Sequence, residues 1–197
     1  MFGDVERKIN KKNKVLFNRE SASLIELRTI IMQQSHLTIV LWVFDNLKNI
    51  SEELSDKYPE EEVFKNALET CMQWAHGNVK MSDAKKAILS CHSFAKNIEN
   101  PVDIAYCHAL GQGLSTVHVE THALGMVFYE LTAIVIKNGH SGYEVEVSNK
   151  IDTYISKLKF WSENEKNYRE RQNWAKFLVK EGKINKEKLL FERENTL

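Results

Sequence analysis

Eight glycines and two prolines are the only strong backbone breakers in 197 residues, about 5% where average usage gives roughly 12%. A chain with so few turning points runs in long uninterrupted segments, and the apolar spacing marks these as helices. From Ser21 onward apolar residues recur three and four apart, first at Leu24, Leu27 and Ile31, then at Leu37, Val40, Leu41, Phe44 and Leu47. That is the pattern of helices with one buried face. No alternating stretch is long enough to build a sheet. The sequence predicts an all-α, single-domain helical bundle of about seven to eight helices.

The punctuation divides the chain. Residues 1–20 hold six Lys/Arg against three Asp/Glu and no sustained apolar stripe, so they read as a polar arm, frayed or helical. Residues 21–180 carry the bundle and 181–197 a charged C-terminal helix or tail. Two helices are expected over 22–57, a third over 60–76 after Pro59, and a fourth from Ser82 or Asp83 to Asn97. Asn100-Pro101 starts the next, a capping side chain followed by proline at the first helical position. The segment 102–138 has a clear seam (Leu110, Leu114, Val117, Leu124, Phe128, Leu131, Val135) and is expected to kink near Gly111 and Gly113 around a central His118. Gly139 to Gly142 closes it. Two or three charged helices follow, with Tyr154, Leu158, Trp161, Trp174, Phe177 and Leu178 inward. The third and fourth helices echo each other twenty residues apart, Ala67-Cys71-Ala75 returning as Ala87-Cys91-Ala95. Small-residue stripes of this kind let backbones approach closely.

Composition limits the partners. Lys+Arg 27 balance Asp+Glu 27, so no overall field draws nucleic acid or an anionic membrane. The run from Leu37 to Phe44 is too short to span a bilayer, which takes about 20 residues. The charged N-terminus lacks the apolar core of a signal peptide. Cys71, Cys91 and Cys107 form no CxxC pair, and three unpaired cysteines fit a reducing, cytoplasmic setting.

Few constellations carry chemistry. His118-Val-Glu-Thr-His122 puts two imidazoles four apart, as a zinc helix does. Glu120 does not follow the first histidine directly, so the general base of an HExxH motif is missing. On a continuous helix it would point about 200° away. A metal would need a further ligand from another helix, such as Asp45 or His92. The alternative is that Asp45, His118, His122 and Tyr129 form a buried polar cluster that fixes helix register without metal or cofactor. Ser115 and His118 could touch, yet no nucleophile elbow accompanies them. Cys91-His92 and Cys107-His108 are neighbours that diverge by about 100° on a helix. The four tryptophans read as core anchors. One charge anomaly stands out: Glu52, Glu53, Asp56, Glu60, Glu61 and Glu62 lie within eleven residues, opposed only by Lys57. Part of it is explained by carboxylates in the first turn of a helix after Pro59. The remainder suits a partner-binding patch for a basic protein.

Several stretches together resemble a family of bacterial immunity proteins, which protect a toxin producer from its own or a neighbour's effector. They are Leu41-Trp42 with Asp45, Tyr58-Pro59 and its acidic followers, Ala67 to Trp74-Ala75 closing at Gly77, and Asp83 to Ala87. The clearest is Thr116-Val-His118-Val with His122-Ala123-Leu-Gly125 and Tyr129, followed by Arg171 and Trp174. The likeness covers about 40–175. The chain departs from it in lower alanine content and in Lys65, where an arginine is expected. The resemblance implies a non-catalytic protein that binds and neutralises a cognate toxin. From the residues alone, a metal-dependent bundle enzyme using His118 and His122 and a ligand-sensing helical module remain open.

Overall fold

Ser35 Oγ accepts the Thr38 amide at 3.0 Å and starts α3 (His36–Lys57). Every side chain from Leu37 to Phe44 is buried, and a helix apolar on all sides has to be surrounded. The neighbours that surround it include α4 (Val63–Ala75), α6 (Pro101–Ser115) and α8 (Glu144–Arg171). Trp42, fully buried, anchors the centre: its Nε1 donates to the Tyr154 carbonyl at 3.0 Å and its ring meets Tyr154 edge-on at 5.7 Å.

The computed structural model describes residues 1–194. These form nine α-helices and no strand. Besides those above they are α1 (Gly3–Asn10), α2 (Ile25–Ile31) after a 3₁₀ turn at Ala22–Leu24, α5 (Met81–Phe94), α7 (His122–Lys137) and α9 (Lys186–Glu194). The expected all-α single domain is what forms. The helix beyond seven or eight is α1. The N-terminal arm is ordered against the bundle, because Phe2, Val5, Leu16 and Phe17 are buried and the Leu16 amide donates to Thr132 Oγ1 at 3.0 Å. Phe2, Val5 and Ile9 do stand three and four apart, but the pattern lasts only the two turns of α1, and Leu16-Phe17 follow a polar gap, so no sustained stripe marks the arm. The last three residues of the expected 181–197 tail lie outside the described residues.

Local chemistry sets the ends. Asn100 Oδ1 accepts the amides of Val102 and Asp103 ahead of Pro101, as expected. Gly77 closes α4 at φ +79°, left-handed backbone that favours glycine. α4 and α5 pack as an antiparallel pair with Ala67, Cys71, Ala75, Cys91 and Ala95 all buried. The expected stripe holds on α4, whereas on α5 Ala87 is half-buried and Ala84 takes the inward place below Cys91. At Gly113 a Cβ would stand 2.7 Å from Leu47 Cδ2, so this glycine sets the close approach of α6 to α3.

The expectation for 102–138 needs correction. The chain does not kink at Gly111 and Gly113. It stops at Ser115 and resumes at His122, so α6 and α7 fold back as a hairpin. His118 lies in the connecting turn, and α3 is the encased helix. Both glycines suit helix here because they receive neighbouring side chains. Residues 172–185, after α8, cross the end of α4: the Ala175 amide donates to the Ala75 carbonyl at 2.8 Å, and Trp174 stacks on His76 at 4.4 Å. Phe177 is more exposed than expected at 39%, while Leu178 is buried.

Candidate functional site

A cleft of about 360 Å³ opens between α5 and the α6–α7 hairpin. Trp74, Ile88 and Leu89 make its apolar side, and His92, Gln112, His118 and His122 supply its polar groups. Exposed Met81 and Leu89 stand at the rim. An apolar hollow with a few convergent polar groups is the ordinary form of a binding site.

Glycines make room for the polar side chains. A Cβ on Gly111 would lie 2.5 Å from the His92 ring, and one on Gly125 2.5 Å from Gln112 Oε1. His92 therefore seats over Gly111 and Gln112 over Gly125. Gln112 Oε1 accepts from His122 Nδ1 at 2.8 Å, which leaves the His122 Nε2 as an acceptor. His92 Nδ1 meets His108 Nδ1 at 3.1 Å. His108 in turn lies 5.0 Å from the Tyr129 ring, and both line a second cavity of about 470 Å³. The histidine pair thus joins two hollows.

Burial lowers the pKa of His92, His108 and His122. Repulsion between an added proton and nearby basic groups adds to it at His92, which faces His108, His122 and Lys96, and at His122, which faces His118 and Arg19. Neutral imidazoles are the result, each able to donate once and accept once. Cys91 and Cys107 diverge from the adjacent histidines as helix geometry requires: both are buried, their thiols pushed up to about 12 by desolvation.

The expected cluster of Asp45, His118, His122 and Tyr129 is not one cluster. His118 and His122 share the cleft, but His118 is exposed and its ring stacks on Trp74 at 6.3 Å. Tyr129 belongs to the second cavity. Asp45 faces α8 instead, accepting from Trp161 Nε1 at 3.2 Å and pairing with Lys157 at 3.4 Å. The helix break explains this for His118, His122 and Tyr129, whose shared stripe assumed an unbroken helix through 116–121, while Asp45 on α3 is taken up by α8. The same break alters Glu120, which is buried at 1% exposure. Among the described residues no group of three or more His, Cys, Asp and Glu is placed to share a metal. Ser115 Oγ donates to the Gly111 carbonyl at 2.8 Å, so its proton is already committed.

All six acidic residues are exposed. Glu52, Glu53 and Asp56 lie on the last turns of α3. Glu60, Glu61 and Glu62 precede α4 rather than occupying its first turn, since that helix starts at Val63. Among the described residues, no ion pair involves any of them. Lys57 turns to the buried carboxylate of Asp103, 2.6 Å away.

A family model described as "Imm-5 like putative immunity protein" matches residues 29–157. The chain belongs to this family. The match takes in α3 to α7 and the cleft, and ends before Arg171 and Trp174. No curated protein and no solved structure matches the chain.

Proposed function

We propose that the chain is a non-catalytic immunity protein that binds and neutralises a toxin, meeting it first through the acidic patch. Family membership supports the role. The observation that carries the surface is the state of the six carboxylates. They are exposed and free of ion pairs among the described residues, and the one cation in their stretch is spent on Asp103. In a chain of zero formal charge this concentrates a negative field on one face. Such a field speeds association with a basic effector and discriminates against acidic proteins.

A ligand-sensing module is the second reading, favoured by the neutral-histidine cleft. Co-expression with a candidate toxin taken from a neighbouring gene separates the two. Survival only when the chain is present supports immunity. Cells that die at the same rate with and without it overturn the reading.

A further inference from the structure

Glu120 ends the turn between α6 and α7 with its carboxylate 1% exposed. It lines a cavity of about 280 Å³ between that turn, α8 and residues 178–185. Its Oε1 lies 3.7 Å from Lys183 Nζ, beyond hydrogen-bond length. Its Oε2 is buried and meets no donor among the described residues.

Lys183 is committed elsewhere. His36 Nε2 donates to the Thr116 carbonyl at 2.7 Å, so Nδ1 carries the lone pair and accepts from Lys183 Nζ at 2.8 Å. The cavity holds a second carboxylate, Glu165, whose Oε2 is held by the hydroxyls of Ser35 (2.6 Å) and Thr38 (2.7 Å). Of the other cations there, Arg169 is turned to the Val179 carbonyl and Glu181, and Lys180 is exposed.

A buried carboxylate left half satisfied selects its complement. An anion would be repelled, and an apolar group would leave the oxygen unpaired. The ammonium already present fails to serve both oxygens. A planar guanidinium presents two parallel N–H groups matched to the two oxygens of one carboxylate. We propose that this cavity is a guanidinium-binding site in which Lys183 is a built-in, imperfect occupant. An arriving guanidinium displaces Lys183, whose side chain is 28% exposed at the mouth. Displacement is local, because Lys183 follows Gly182 in a non-helical segment. The proposal stands apart from the toxin reading.

The test is an amide NMR titration of the full chain with ethylguanidinium chloride, against ethylammonium chloride at equal ionic strength. Saturable shifts at His36, Glu120 and Lys183 are expected with ethylguanidinium alone. Lys183→Met should bind it about tenfold more tightly, since the competing occupant is removed, and Glu120→Gln should lose it. Equal responses to both cations, or unchanged affinity in Lys183→Met, overturn the proposal. The Lys183→Met comparison decides the matter if Glu120→Gln does not fold. Acetyl-Gly-Arg-Gly-amide distinguishes the source: tighter binding than ethylguanidinium points to an arginine displayed on a protein, and equal binding to a small solute.

Discussion

His92 Nδ1 stands 3.1 Å from His108 Nδ1, so one ring donates and the other accepts. A proton added to the accepting nitrogen would set two N–H groups against each other. Four histidines, His36, His92, His108 and His122, have pKa values lowered chiefly by burial. In the unfolded chain each titrates near about 6.5. Below that value the unfolded state binds more protons than the folded one, so stability is complete above it and falls as pH drops toward the lowered values. Thermal unfolding should therefore occur at a lower temperature at pH 5.5 than at pH 7.5. An equal or higher midpoint at pH 5.5 would contradict the burial of these rings.

Gly111→Ala should destabilise the fold by roughly 1–3 kcal/mol, the usual cost of overpacking, because the new Cβ meets the His92 ring at 2.5 Å. The clash is specific, so the loss should be partly recovered in the Gly111→Ala/His92→Ala pair. Urea unfolding of the single and double variants measures this coupling. Simple additivity would mean the ring moves aside freely.

Glu187 is fully buried and takes Arg28 Nε and Arg19 Nε, each at 2.9 Å. Those arginines tie α9 to the start of the bundle. Glu187→Gln leaves Arg19 without its carboxylate and Arg28, itself 6% exposed, with Glu194 as its one remaining charge partner among the described residues. A loss of roughly 3–5 kcal/mol is expected, read by urea unfolding. Hydrogen exchange should quicken first in α9. A change under about 1 kcal/mol would show that the ion pairs merely decorate the docked helix.

Neutralising Glu53, Asp56 and Glu61 together as Gln, Asn and Gln should slow association with a basic toxin at low salt and flatten its salt dependence. Circular dichroism should be unchanged, since all three side chains are exposed. Stopped-flow association rates equal to those of the unaltered chain would move the interface to another face.

Helix-level features were legible where a short-range rule governs. The Asn100-Pro101 start, the Gly77 end and the Gly139–Gly142 closure each depend on a few residues whose backbone preferences are local. The buried Ala67-Cys71-Ala75 stripe of α4 follows from four-residue spacing. The family resemblance was equally legible over α3 to α7. The cleft was not, because its making depends on two glycines that look like flexible points in a sequence. Gly111 and Gly125 are seats for His92 and Gln112, each of which comes from the helix before its glycine. His92 entered the sequence reading as a possible metal ligand and as the neighbour of Cys91, never as a group seated on a glycine.

The chain by itself determined that it would be helical, roughly where its helices would start, and that one stretch would be densely acidic. Breaker scarcity, periodicity and charge count are all properties of neighbours in sequence. Tertiary structure alone decided that 116–121 is a turn, and this single change exposes His118 while burying Glu120. It also decided that Asp45 pairs with Lys157 and Trp161 of α8, and that Phe2, Val5, Leu16 and Phe17 are core. Burial and pairing between distant segments depend on which surfaces meet. That is set by the summed packing of all nine described helices, which no window of sequence contains.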